Sequence, residues 1–349
     1  MNATMTAAVL HGAKDLRLEP RLRPEMKPGT VLLRNRRVGI CGSDLHYYEH
    51  GYCAAFVPDR PFVLGHELSA EVAGVGEGVA TIKVGDRVTV NPARSCGFCE
   101  YCKGGRPNLC RQVIMLGSAS TTPPTDGAMA EFVRVRADQC HLLPSNLDDG
   151  IGAMMEPLAV ALHAVKRAGL VSGKRVLVTG GGTIGLLTAV VARGFGATPV
   201  VVTDVVAARR AKAIAFGADA ALDPSAPDLR EQVRALTGDG FDVILEASGA
   251  RPALRQAFDL VRPGGTIVQI GTLGTEDVPI PANQIMVREI NFVGSMRYGN
   301  VFDEAIRLVA SGRLDVRPFI SEVVPIEDCG RAMQLAADKS GALKVQIQI

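Results

Sequence analysis

The sequence predicts an α/β chain made of a mostly antiparallel β domain and a doubly wound parallel-sheet domain. Three observations predict it. Before residue 150, short β-like runs alternate with Gly/Pro punctuation. After Ser172, strand patterns alternate with helical patterns of roughly 10–15 residues, the signature of right-handed βαβ crossovers. Between the first such strand and helix stands Gly180-x-Gly182-x-x-Gly185. At 349 residues the chain is too long for one small core, so two domains are expected.

Taken in order, the β-like runs are residues 31–38, 69–75, 86–91 and 131–135. A helical pattern over 150–168 follows, with Pro157 as a local disturbance. Next come a buried-strand run at 175–179, an apolar helix at 184–195, a strand at 200–203 and a helix at 207–216. A strand at 241–246, a helix at 252–261 and a strand at 266–270 complete the alternation. From about 295 the periodicity weakens to one helix, 302–310, and β-like 319–324 and 343–349. This tail is expected to return to the first domain. The predicted division is therefore 1–150 with 295–349 as one domain and 151–294 as the other.

Composition removes several classes of function. Lys plus Arg number 38 against 36 acidic residues with no long like-charge run, which excludes the concentrated basic face that nucleic acid requires. No apolar run reaches the roughly 18 residues of a membrane span. The first ten residues lack a basic start followed by an apolar core, so a cytoplasmic, reducing location is expected. There the eight cysteines are expected as metal ligands or buried thiols rather than disulfides.

The glycine motif predicts a dinucleotide site. Gly180 allows a tight turn, Gly182 lets backbone approach a pyrophosphate, and Gly185 lets helix and strand pack closely, with the helix N-terminus attracting phosphate. Asp204 ends the next strand, nineteen residues beyond Gly185. Its carboxylate suits ribose hydroxyls and repels the extra phosphate of NADP, so NAD is favoured; Arg209 and Arg210 nearby weaken that preference.

Cys96, Cys99, Cys102 and Cys110 fall inside fifteen residues, in a lobe spanning 91–115. The spacing lets four thiolates surround one tetrahedral ion, and a site filled by protein is structural. An iron–sulfur cluster also favours closely spaced cysteines, but its usual fourth cysteine follows after three residues and precedes Pro. Here the gap is seven and Arg111 follows, so zinc is the expected ion, with free thiols as the bland alternative.

Cys41-Gly42-Ser43-Asp44-Leu45-His46 and Gly65-His66-Glu67 lie in the β-rich third, and Glu156 opens the helix toward the cofactor domain. Cysteine, histidine and carboxylate suit an open zinc site with one position for water or substrate. An alcohol must lose its proton before its carbon releases hydride, and a coordinated hydroxyl has its pKa lowered from about 16 toward ~7. His46 is placed to pass that proton to solvent. His11, His50, His141 and His163 have no such sequence neighbours and receive no role, and Cys53, Cys140 and Cys329 read as ordinary thiols.

On these residues, the chain resembles the zinc-containing medium-chain dehydrogenases from Ala7 to its end, most of all the polyol branch of sorbitol, xylitol and L-idonate 5-dehydrogenases. The segments that carry the resemblance are residues 40–48, 64–67, 91–92, 116–119 and 156–164. The resemblance implies a GroES-like β domain plus a Rossmann domain, one catalytic and one structural zinc per chain, and a dimer or tetramer. It makes Cys41 and His66 firm zinc ligands and leaves the third to Glu67 or Glu156. It implies that Ser43 relays the hydroxyl proton through the cofactor ribose to His46, and that Asp44 orients a ligand. Tyr47, Glu156, Arg297 and Tyr298 match positions that face substrate; Ile184, Asp204, Arg209, Ile270 and Arg297 match positions near NAD. One departure is Ala70, where the family usually carries glycine. The activity so implied is NAD-linked oxidation of the C5 hydroxyl of L-idonate to 5-keto-D-gluconate, with a sorbitol- or xylitol-type substrate as the alternative. A non-catalytic nucleotide-binding relative is the rival of another class, and the retained Cys41, Ser43, His46 and His66 argue against it.

Overall fold

The computed structural model describes residues 3–338 and 341–349; residues 1–2 and 339–340, which fall within the first predicted domain, lie outside the described residues. The chain divides into two compact units, Met1–Glu156 with Phe302–Ile349, and Pro157–Val301.

The first unit is built on strands. Thr4–Gly12 and Asp15–Leu22 form an antiparallel hairpin that Phe62–Val63 extends. A larger sheet runs in the order Cys140–Leu142, Arg87–Val90, Glu67–Val75, Thr30–Gly39, Lys344–Gln348, Ile320–Pro325, with Phe132–Arg136 also on Thr30–Gly39. Val9, Leu33, Phe62, Leu64, Met129 and Ile347 are among its fully or almost fully buried core. The chain's last strand pairs antiparallel with its third, Gln346 opposite Gly39, so the C-terminal segment is an integral part of this sheet. Ala70 lies buried in Glu67–Val75, paired with Asn35 and Val88 and outside the left-handed region, where alanine serves as well as glycine.

The second unit is a parallel sheet in the order Ala220–Leu222, Val200–Thr203, Val176–Thr179, Phe241–Glu246, Val261–Gln269, Asn291–Gly294. Val176–Thr179 and Val200–Thr203 are buried along their whole length, as strands covered on both faces must be. The strand order reverses between Val176–Thr179 and Phe241–Glu246, and the crevice beyond the carboxyl ends of such a pair is where open α/β sheets bind ligands.

The boundaries differ from the expected 150 and 294. The helix Asp149–Ala153 belongs to the first unit because Ser69 donates to the Asp149 carbonyl at 2.7 Å and Gln346 donates to the Gly150 carbonyl at 2.8 Å. Residues 295–301 stay with the parallel sheet, whose pairing Ser295 prolongs by donating to the Gln269 carbonyl at 2.9 Å. The single helical pattern expected at 150–168 is two helices, Asp149–Ala153 and Met155–Arg167, broken at Met154. Pro157 lies in the first turn of the second helix, where its missing N–H costs nothing; in one continuous helix its ring would strike the Ala153 carbonyl. Among the described residues no helix is long and apolar enough to cross a membrane.

Candidate active site

Cys41 caps the helix Gly42–His50, and Asp44 in its first turn ties two segments together. Its Oδ2 accepts the Cys41 N–H at 2.9 Å and its Oδ1 accepts the Gly65 N–H at 3.1 Å. The carboxylate is fully buried, and burial pushes it above the usual range despite the nearby His66. The segments so joined bring Cys41 beside His66 and Glu67, whose ligand atoms all lie within 4.8 Å of one another.

His66 is 5 % exposed, and its Nδ1, 3.7 Å from Asp44 Oδ1, has no hydrogen-bond partner among the described residues. Burial works against a charged ring here, yet Asp44, Cys41 and Glu156 hold it well above the ordinary histidine value. A buried, underused imidazole beside a thiol and a carboxylate is a donor set that fits zinc, with three protein ligands and an open position.

Glu67 has a partner that sequence reasoning missed. Lys344 Nζ donates to Glu67 Oε1 at 2.7 Å, to Glu67 Oε2 at 2.6 Å and to the Ile40 carbonyl at 2.9 Å, so each of its protons has an acceptor. Lys344 is 5 % exposed and Glu67 1 %, and a buried charge persists only when paired. Burial alone would lower this lysine; Glu67, Cys41 and Glu156 outweigh it and raise it. Space for the carboxylate comes from Gly39, where a Cβ would lie 2.2 Å from Glu67 Oε2. The available signal was a lysine opening an otherwise β-like terminal run, Lys344-Val345-Gln346-Ile347.

Glu156 is buried in the first turn of Met155–Arg167 but stands outside the Cys41, His66 and Glu67 group. Ser43 is half-buried and His46 exposed on the Gly42–His50 helix. Tyr47 departs from the expectation of a substrate-facing side chain. It is 2 % exposed, its ring meets Phe62 edge-on at 5.3 Å, and its hydroxyl accepts the Ala119 N–H at 3.0 Å, which makes it a core residue.

The four cysteines of the lobe converge as their spacing predicts. Cys96 and Cys102 sulfurs are 3.8 Å apart and those of Cys99 and Cys102 3.5 Å. Four thiolates at about 2.3 Å from one zinc ion define a tetrahedron with edges of about 3.8 Å, so the set fits that ion. Backbone N–H groups of Cys96 and Gln112 point at the Cys110 sulfur at 3.2 and 3.3 Å. Those of Cys102 and Arg111 help hold the Cys99 thiol down at about 6, favouring the thiolate that ligates metal.

In the second unit, Gly180 takes a left-handed φ of +93°, and a Cβ on Gly185 would lie 1.8 Å from the Gly180 carbonyl oxygen. Only glycine permits either. Gly182 caps the helix Thr183–Gly194, whose first N–H groups lack intrahelical partners and could hold a phosphate. Asp204 Oδ2 accepts the Gly181 N–H at 2.7 Å and Oδ1 the Val206 N–H at 2.8 Å; each oxygen keeps a lone pair for a ribose hydroxyl. Arg209 Nη1 lies 3.5 Å from Asp204 Oδ2. Gly180, Gly182, Asp204, Arg209 and Ser248 are among the residues lining a cleft of about 430 Å³. Ile184 is half-buried in the first turn of the helix, and Ile270 follows the Val261–Gln269 strand. Arg297 holds a left-handed φ of +50°, and its Nη1 is buried with no hydrogen-bond partner among the described residues; its neighbour Tyr298 is 2 % exposed.

Comparison with known proteins shows the family to which both parts of the chain are similar. Residues 27–145 match the alcohol dehydrogenase GroES-like domain and residues 183–311 the zinc-binding dehydrogenase domain. The chain is 37% identical over 345 residues to the sorbitol dehydrogenase of Bacillus subtilis, covering 98% of this chain and 97% of that one. It is 39% identical over 331 residues to D-xylulose reductase A of Aspergillus oryzae, covering 93% and 91%. The crystal structure of L-idonate 5-dehydrogenase from Escherichia coli superposes with a TM-score of 0.93 at 32% identity, covering 100% of this chain and 99% of that one.

Proposed function

The chain belongs to the zinc-binding medium-chain alcohol dehydrogenases, in their polyol branch, and from that premise we propose that it oxidises the C5 hydroxyl of L-idonate to 5-keto-D-gluconate with NAD, reversibly. The observation that carries the substrate choice is Arg297, a guanidinium with a buried, unpartnered nitrogen on a strained backbone. A cation so held suits a carboxylate-bearing substrate, which a neutral polyol is not. The likeness to the E. coli enzyme supports the same reading.

In this proposal Cys41, His66 and Glu67 hold the catalytic zinc, and Glu156 acts near it through water or substrate. Zinc bound there supplies the charge that brings a substrate hydroxyl within reach of neutral-pH deprotonation. Asp44 orients His66, and Lys344 offsets the charge of Glu67. The Ser43 hydroxyl receives the substrate proton and His46 delivers it to water. Gly180, Gly182 and Gly185 seat the pyrophosphate while Asp204 takes the adenosine ribose and disfavours a 2′-phosphate; Ile184 and Ile270 flank the nucleotide. Cys96, Cys99, Cys102 and Cys110 hold a structural zinc. A dimer or tetramer is proposed, supported by exposed Met286 and Val287 beside the edge strand Asn291–Gly294.

A sorbitol- or xylitol-type substrate is the second reading, favoured by the B. subtilis and A. oryzae relatives. Initial rates on L-idonate, sorbitol and xylitol, each with NAD and NADP, separate the two. Higher kcat/KM on L-idonate, lost selectively in Arg297→Met, is the expected result; faster turnover of sorbitol rejects the first reading.

A further inference from the structure

The helix Gly42–His50 carries a ligand pair of which the proposed reaction uses only one member, His46, and leaves His50 without a role. His46 and His50 are four residues apart on its outer face, both exposed, with ring centroids 5.8 Å apart and planes inclined at 43°. In sequence His50 has no obvious neighbour; the helix supplies one. The intervening Glu49 brings Oε2 to 3.8 Å from His50 Nε2. The run His46-Tyr47-Tyr48-Glu49-His50 is thus His-x-x-Glu-His on a helix, and two histidines one turn apart on one face are a bidentate chelate.

The geometry is close to what one ion demands. Two zinc–nitrogen bonds of about 2.0 Å at a tetrahedral angle put the imidazole centroids about 5 Å apart. Exposed rings reach that from 5.8 Å by small side-chain rotations. The backbone beneath them is fixed, because the helix closes with the Gly51 N–H donating to the Tyr47 carbonyl at 2.9 Å and the Tyr47 ring is locked in the core. The pair is separate from Cys41, His66 and Glu67, whose ligand atoms form their own group.

The geometry points to a second, weaker metal site on the protein surface. His46 and His50 bind one borderline transition-metal ion such as Zn²⁺, Ni²⁺ or Cu²⁺, with water in the remaining positions. Binding uses the imidazole lone pair with which His46 would accept a proton, so the filled site inhibits turnover. The inhibition rests on the proposed role of His46; the binding does not.

The test uses holoenzyme carrying its full zinc complement, titrated calorimetrically with NiCl₂ and separately with ZnCl₂, and assayed at saturating substrate. Wild type takes up one further ion per chain, Ni²⁺ more tightly than Zn²⁺, and loses rate in step with that uptake. His50→Ala and His50→Gln keep the basal rate and need at least about tenfold more metal for the same inhibition, one bond of the chelate being gone. Uptake that is the same in both His50 variants as in wild type overturns the site. Uptake that disappears in those variants, in an enzyme whose rate the metal never changes, overturns the inhibition and the role of His46 with it.

Discussion

The two cysteine-bearing clusters of the first unit are built in opposite ways. Cys96, Cys99, Cys102 and Cys110 come from fifteen consecutive residues of a partly exposed lobe, and each donor's place follows from local spacing. Cys41, the adjacent His66 and Glu67, and Lys344 come from three separate segments, Glu67 and Lys344 being 277 positions apart and both buried. The first cluster is a property of a short piece of chain. The second exists only when the C-terminal strand has paired with Thr30–Gly39 and carried Lys344 to Glu67. Damage to the lobe should therefore act on stability, whereas damage to the buried cluster should act on chemistry and fold together.

The comparison breaks most visibly at Cys41. Cys41→Ser should bring metal content from two zinc ions per chain to one and lower kcat by about a thousandfold or more. NADH affinity, measured by fluorescence titration, should stay within about twofold, because the dinucleotide residues belong to the other unit. Unchanged turnover would remove this cluster from the reaction.

Lys344→Met should come next. In the zinc-free protein it leaves the Glu67 carboxylate buried without its counter-charge, which costs about 3–5 kcal/mol of stability in urea unfolding. Adding Glu67→Gln should recover most of that loss, since removing both members of a buried pair is far cheaper than removing one. Additive losses in the double variant would show that the pair is not the source.

A smaller effect is expected at Asp204. Asp204→Ala should raise the preference for NADP over NAD by about tenfold, because the carboxylate that repels the extra phosphate beside Arg209 is gone. Zinc content should not change. The smallest effect on catalysis should come from Cys99→Ser, which empties the lobe and lowers thermal stability while kcat falls by no more than about tenfold. A loss as deep as that of Cys41→Ser would erase the distinction between the clusters.

What could be read from the amino acids follows the same division. The strands Val176–Thr179 and Val200–Thr203, the glycine turn and the cysteine lobe are each specified within a few neighbouring residues. Lys344 was illegible because its burial depends on a strand pairing that local pattern does not encode. The helix Gly42–His50 also escaped, since only Asp44 and Tyr47 face inward and one of those is a charge. That missing helix is why His50 looked solitary, whereas the expectation that Tyr47 faces substrate came from the resemblance and the packing of its ring on Phe62 does not follow it. The break at Met154 shows Pro157 acting through a steric rule whose exact position periodicity alone does not give.

Anomalous diffraction at the zinc edge, on crystals of the protein as purified, tests the shared ion most directly. It should give two peaks per chain, one inside the lobe and one about 2.3 Å from the Cys41 sulfur and about 2.0 Å from a His66 nitrogen. A lobe peak with no counterpart between Cys41 and His66 would contradict the assignment.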